Sequence, residues 1–162
     1  MNVFDTYTHQ LLNQLNLQQV QYLVVGGYAV NYHGYRRTTG DIDLWIKPEN
    51  KVNKEAILKS FRNLNVDKDS LTRLAALDFT KPIVFIDGEE PFKIDFMTHI
   101  SGVSFEEAWQ KKLIAKLEGL EVPFIHLNHL ILSKIASGRP QDKIDVDKLQ
   151  QIQQLKSDQT KT

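Results

Sequence analysis

Three aspartates and a pair of glycines are the residues of this chain best suited to chemistry. Asp41 and Asp43, in "DIDLWIK", lie two apart. On an extended strand that spacing puts their Cα atoms about 6.5 Å apart with both side chains on one face. An exposed strand face is the ordinary reading of such alternation; Trp45, which continues the same face, weighs against it and suggests a sheltered site. Asp95, in "KIDFM", can join them from a second strand. Two unit charges about 5 Å apart repel by about 3 kcal/mol at an effective dielectric near 20, so such a cluster calls for cations. With no cysteine and no adjacent histidine, the carboxylate-only ligand set suits Mg²⁺ or Mn²⁺ rather than zinc.

The glycines answer a different need. Gly26 and Gly27 follow "YLVV" and precede a short helical run, so their backbone can adopt special φ/ψ and let N–H groups approach an anion such as phosphate. The spacing is neither that of a dinucleotide-binding G-x-G-x-x-G turn nor that of a P-loop. Arg36, Arg37, Thr38 and Thr39 connect this turn to the Asp-x-Asp strand. Two roles are open to them: a solvated loop, or an arginine that neutralises nucleotide phosphate while a threonine hydroxyl hydrogen-bonds it.

The elements that must position these residues follow from periodicity. Phe4, Tyr7, Leu11, Leu12 and Leu15 predict an amphipathic first helix over 3–15. Residues 22–25 read as a buried strand, "YAVNYHGY" as a two-turn helix stopped by Gly34, and "DIDLWIK" as an alternating strand. A helix over 51–64 and a short one in "SLTRLAAL", with Ser70 as its N-cap, come next. "PIVFIDGEEPFKIDFM" predicts an antiparallel hairpin whose second strand carries Asp95. Ser104 with Glu107 three residues on marks a capped helix start. "LIAKLEGLEVPFI" predicts a second hairpin turning at Glu118 and Gly119. Asn128 is placed to cap a helix to Ser137, and a last helix over about 142–155 fraying into "KSDQTKT" completes the chain. This order implies a mixed α/β or α+β architecture.

At 162 residues the chain fits one domain, and its 20 basic and 20 acidic residues cancel, so any nucleic-acid or membrane partner needs a local patch. The absence of cysteine fits a reducing compartment. No signal-peptide pattern and no apolar run of about 18 residues occurs, so a soluble, cytoplasmic protein is expected. His9, His33, His99, His126 and His129 show no metal-ligand spacing and read as structural.

The combination of "VVGG", a short helix, "RRTTGDIDLWI" and "KIDFM" resembles the nucleotidyltransferase superfamily, the minimal fold shared with polymerase-beta-like enzymes. The segment "LNHLILSKIASGRPQDKIDVDKL" resembles the branch that contains abortive-infection toxin-type nucleotidyltransferases. The resemblance covers about residues 20–150. It departs at Gln141, where that branch usually has lysine, and at Gly27, where many members have serine.

What the resemblance implies is an α+β fold: a nucleotidyltransferase-like mixed β-sheet flanked by helices, forming a single domain over 1–162 with C-terminal helices over about 128–156 packed on the core. It implies Asp41, Asp43 and Asp95 as ligands of Mg²⁺ or Mn²⁺, with Asp95 also a candidate general base. Gly26, Gly27, Arg37, Thr39 and Lys134 would bind the nucleotide phosphates, with Arg139 and Asp142 near Lys134. The implied reaction moves a nucleoside monophosphate from an NTP to an acceptor hydroxyl and releases pyrophosphate. A tRNA end, a protein side chain or a small molecule is a candidate acceptor, and a toxin–antitoxin or phage-defence setting would add a cognate toxin or antitoxin as partner. The alternative is a catalytically silent nucleotide-binding or partner-binding half of a toxin–antitoxin pair.

Overall fold

The structure is a computed structural model that describes residues 3–160; Lys161 and Thr162 of the predicted polar tail lie outside them. Helix α1 (Thr6–Leu17) leads into β1 (Tyr22–Val25), α2 (Gly26–Tyr32) and β2 (Ile42–Ile46). Helices α3 (Val52–Asn63) and α4 (Lys68–Ala75) precede the hairpin of β3 (Val84–Asp87) and β4 (Ile94–Met97). Helix α5 (Phe105–Gln110), the hairpin of β5 (Leu113–Leu117) and β6 (Leu120–Phe124), and helices α6 (Leu127–Ser137) and α7 (Pro140–Thr160) follow.

The six strands form one mixed sheet in the order β3-β4-β2-β1-β6-β5. Strand β1 runs antiparallel to β2 and parallel to β6, while β2 runs parallel to β4. All four residues of β1 are buried, as its unbroken apolar run demands for a strand covered on both faces.

Register places the candidate acids. Asp43 pairs with Asp95 across the parallel β2–β4 ladder and with Val25 across the antiparallel β1–β2 ladder. Side chains alternate along a strand, so Asp43, Trp45, Asp95 and Met97 share one face, and Leu44 and Phe96 share the other. That other face is core: Phe96 stacks on Phe85 with ring centroids 4.8 Å apart and meets Phe61 of α3 edge-on at 5.5 Å. Burying a ring of this size contributes about 1.5–3 kcal/mol. On the acid-bearing face Trp45 is 1 % exposed, donates through Nε1 to the Thr98 carbonyl at 3.0 Å and packs edge-on against Phe105 of α5. The indole is thereby sealed into the fold on the acid-bearing side of the sheet and lines neither lobe of the cleft described below.

Several local expectations are corrected. The N-cap of α4 is Asp67, not Ser70; its carboxylate accepts the Ser70 N–H at 2.9 Å and the Ser70 hydroxyl at 2.7 Å, the stronger acceptor winning the position. The N-cap of α6 is His126, whose Nδ1 accepts the Asn128 N–H at 3.0 Å, rather than Asn128 itself. Helix α7 starts at Pro140 and runs to Thr160, so the polar "KSDQ" is helical rather than frayed. Proline in the first turn sacrifices no intrahelical donor, which suits this start. Ser104 does cap α5 through the Glu107 N–H, and the β5–β6 turn holds Glu118 and Gly119 at φ 52° and 81°.

Candidate active site

The C-terminal end of β1, the entry of β2 and the start of β4 meet at one edge of a cleft closed on its far side by α6 and the start of α7. Two lobes of about 400 Å³ each share Gly26, Asp43, Asp95, Arg139 and Asp142. One lobe extends past Gly27, Arg37, Thr39 and Asp41, the other past Met97, His99 and Ser133. A separate apolar groove of about 250 Å³ between α4 and β3 is lined by Phe61, Leu71, Leu74 and Phe85 and holds none of the candidate acids.

The turn between β1 and α2 uses both glycines because side chains press on them. Gly26 has φ +66°, and a Cβ built there would stand 2.1 Å from Oδ2 of Asp43. A Cβ on Gly27 would stand 2.0 Å from Oγ1 of Thr39. The glycine pair thus lets a carboxylate and a hydroxyl lie directly on the backbone of the turn, with a left-handed residue that only glycine adopts freely.

Asp43 and Asp95 form the electrostatic centre. The Asp43 carboxyl is pushed up to about 7 by burial first, then by the charge of Asp95, a hydrogen bond with Asp95, and Asp41, against a smaller opposing pull from Lys134. Asp95 is raised as well, by burial and Asp41, while Lys93 and the Asp43 hydrogen bond hold it down. Its Oδ1 is buried, and with both carboxyls ionised no donor reaches it. Asp41 precedes β2 and stands beside this pair, with Oδ2 3.5 Å from the Lys93 ammonium. Among the described residues no three acidic or imidazole side chains are gathered into a ready-made ligand sphere.

The remaining candidates sit in an ion-pair network rather than free in the cleft. Lys134 is 7 % exposed, and its Nζ lies 3.1 Å from Asp142 and 3.0 Å from Asp145. Arg37 grips Asp145 with two parallel bonds, Nε to Oδ1 and Nη2 to Oδ2, both 2.9 Å. Gln141 donates to Asp145 Oδ1 at 2.8 Å, which gives the residue that replaces the expected lysine a definite job. Arg139 meets Asp142 through Nε at 2.9 Å while its side chain stays 75 % exposed beside the acids. Arg36 is exposed and lines neither lobe, so of these two adjacent arginines it is Arg37 that reaches the cleft.

This network joins the α2–β2 loop to α6 and α7, and Asp145, fully buried at its centre, is a residue the sequence reading did not single out. Its signal was present: Asp142 and Asp145 are one turn apart, the spacing that puts two carboxylates on one helix face. Lys93 was also missed, although "KID" places it two residues before Asp95 and hence on the same strand face.

Residues 4–162 match a family model, "Nucleotidyltransferase of unknown function (DUF6036)". The chain belongs to that family. No curated protein matches it in sequence. Solved structures similar to this nucleotidyltransferase include the lincosamide antibiotic adenylyltransferase LnuA with lincomycin bound, at TM-score 0.52 and 14% identity, covering 94% of this chain and 99% of that one. A Thermotoga maritima protein carrying a provisional nucleotidyltransferase assignment is similar at TM-score 0.51 and 12% identity, over 96% and 92% of the two chains. The antibiotic-resistance factor ANT(2'')-Ia is similar at TM-score 0.52 and 17% identity, over 89% of this chain and 80% of that one. These likenesses agree with the mixed six-stranded sheet and C-terminal helix as a nucleotidyltransferase-type fold. Among the described residues no helix is long and apolar enough to cross a membrane.

Proposed function

We propose that this chain is a metal-dependent nucleotidyltransferase that joins a nucleoside monophosphate from an NTP to an acceptor hydroxyl and acts in the cytoplasm. The observation that carries the reading is the in-register Asp43–Asp95 pair at the glycine turn, with Oδ1 of Asp95 buried and unsatisfied. Two facing carboxyls that burial and neighbouring negative charge make reluctant to ionise fit a hard, oxygen-preferring cation such as Mg²⁺ or Mn²⁺. Asp43 and Asp95 would hold the ion and Asp41 would complete its ligands. Bound there, the cation would polarise the phosphate oxygens and make the acceptor hydroxyl a better acid.

The protein's own residues supply the rest. Gly26 and Gly27 bring the turn backbone to the wall of one lobe, where it would meet the phosphates beside Arg37 and Thr39. Arg139 keeps most of its guanidinium exposed in the cleft, where its unpaired donors can meet the triphosphate. Lys134 would reach the triphosphate only by giving up one of two carboxylates, so its first task is to lock α6 to α7. In the reaction the acceptor oxygen forms a bond to the α-phosphorus, the bond from that phosphorus to pyrophosphate breaks, and Asp95 takes the hydroxyl proton. Positioning and charge neutralisation supply most of the rate.

The acceptor is tested directly. Labelled NTPs are incubated with the protein and with three acceptor classes: small hydroxyl compounds including a lincosamide and an aminoglycoside, tRNA, and protein, the class that a toxin–antitoxin partner would supply. Mass spectrometry is expected to find one acceptor heavier by a nucleoside monophosphate, with pyrophosphate in equal amount. Nucleotide binding with no adduct on any class would replace this reading by the silent binding module, and release of inorganic phosphate would point to hydrolysis.

A further inference from the structure

The acid-bearing face of β2 and β4 is a ladder of three ranks. Register puts Trp45 beside Met97 and Asp43 beside Asp95. One step out from the Ile42–Ile94 pair, Asp41 and Lys93 face each other, with Nζ 3.5 Å from Oδ2. The ranks differ in character: an apolar one, a pair of acids without a cation, and an outer rank in which acid and base are matched. Lys93 is held from its other side by Glu90 at 3.1 Å, in the β3–β4 turn. Its side chain is 27% exposed and that of Asp41 22%, so neither is sealed in place and the pair can open without disturbing the core.

We propose that Lys93 is a built-in counter-ion that occupies Asp41 until a divalent cation arrives, so that metal entry must take Asp41 from Lys93 and the Glu90 contact decides how easily Lys93 lets go. This inference rests on the metal-dependent reading above. The chemistry is a competition for one carboxylate. The lysine ammonium is a compact charge on a flexible stem and can leave Asp41 while Glu90 still holds it. With Lys93 in place the charge of Asp41 is partly matched, which lessens its repulsion of Asp43 and Asp95 without removing it. Once Lys93 withdraws, Asp41 stands on the same face as both and becomes free to join them.

Mn²⁺ binding to the full chain without nucleotide, read by electron paramagnetic resonance, tests this against activity-independent outcomes. Lys93→Met is expected to bind Mn²⁺ about three- to five-fold more tightly than wild type, the range set by the worth of a partly exposed ion pair. Glu90→Gln, which leaves Lys93 leaning on Asp41 alone, is expected to bind it more weakly. A general field effect of the lysine would persist without Asp41, so the deciding comparison is Lys93→Met in an Asp41→Asn background, where the gain is expected to disappear. Melting temperatures of the metal-free variants report any effect on folding separately. Unchanged Mn²⁺ affinity in Lys93→Met, or an equal gain with and without Asp41, overturns the counter-ion role while leaving the metal site standing. Absence of Mn²⁺ binding in wild type and in Lys93→Met alike overturns the metal reading and this inference with it.

Discussion

Replacing Asp43 by asparagine removes a charge that the fold holds at a cost, so the metal-free variant is expected to be more stable than the wild type near pH 8. The carboxyl sits at about 7 in place of an ordinary 3.8, through burial first and the neighbouring Asp95 second. A carboxyl whose native pKa is raised binds its proton more tightly in the folded state than in the unfolded one. Its contribution is therefore most favourable below about pH 4, erodes as pH rises through about 7, and stays at its worst above that. At about 1.4 kcal/mol for each tenfold change in proton affinity, the full penalty is about 4 kcal/mol. Asp95 shares the proton and takes part of this, so about 3 kcal/mol is expected at Asp43 alone. The asparagine is isosteric, fits beneath Gly26 as the aspartate does and can donate to Asp95. Chemical denaturation in chelator is the assay, and for a chain of this size about 3 kcal/mol corresponds to about 6–12 °C in melting temperature. The gap is expected to close as pH falls toward about 4. Mg²⁺ with NTP is expected to stabilise the wild type and not the variant. A variant no more stable than wild type near pH 8, or a gap that does not change with pH, would refute the electrostatic account of the site.

Lys134→Met removes the ammonium that bridges Asp142 and Asp145, leaving Asp142 to Arg139 and Asp145 to Arg37 and Gln141, and is expected to cost about 1.5–3 kcal/mol in denaturant melts, whereas a lysine serving nucleotide alone would leave stability unchanged. Gly27→Ala forces a methyl group to 2.0 Å from Thr39 Oγ1 and 2.7 Å from its Cβ, and is expected to cost about 1–3 kcal/mol. Adding Thr39→Gly should restore most of that loss, and failure to do so would place the obstacle in the backbone. Asp142 is held down at about 2 although burial alone would raise it, because Arg139, Ser137 and Lys134 hydrogen-bond its charged form. Its contribution is present above about pH 4 and lost as pH falls through about 2, so Asp142→Asn should flatten the acid limb of the stability profile; an unchanged limb would remove Asp142 from the network.

The strands that carry Asp43 and Asp95 were legible because they rest on period-two alternation and on a glycine break, both local signals, whereas their meeting in register is a non-local pairing that only the resemblance suggested. The mixed sheet of the nucleotidyltransferase fold followed from the same signals together with the resemblance. The caps of α4 and α6 were misplaced because several polar residues compete at each helix start and the winner depends on the entry angle of the chain. The end of α7 was misplaced for a related reason: a polar helix of Gln, Lys and Asp residues carries no apolar period to mark where it stops. What the sequence could not show was which charge meets which. Arg37 and Asp145 are 108 residues apart, and nothing local in either segment announces the pair.

That pairing pattern leaves two of the acids in the cleft without an ion-pair partner among the described residues. Four cations line or adjoin it: Arg37, Lys93, Lys134 and Arg139. Each is already engaged by a carboxylate, from Asp145, Asp41 or Glu90, Asp142 or Asp145, and Asp142 respectively. The acids left over are Asp43 and Asp95, half-buried and brought face to face by strand register, both raised by burial and by neighbouring negative charge. A fold that needed these carboxyls only for stability would do better with an amide or an apolar pair, since a buried like-charge pair is a net cost. The arrangement makes physical sense if the missing positive charge arrives with the substrate. On that argument a cation bound with nucleotide between Asp43 and Asp95 is expected to relieve their repulsion and raise the melting temperature of the wild type.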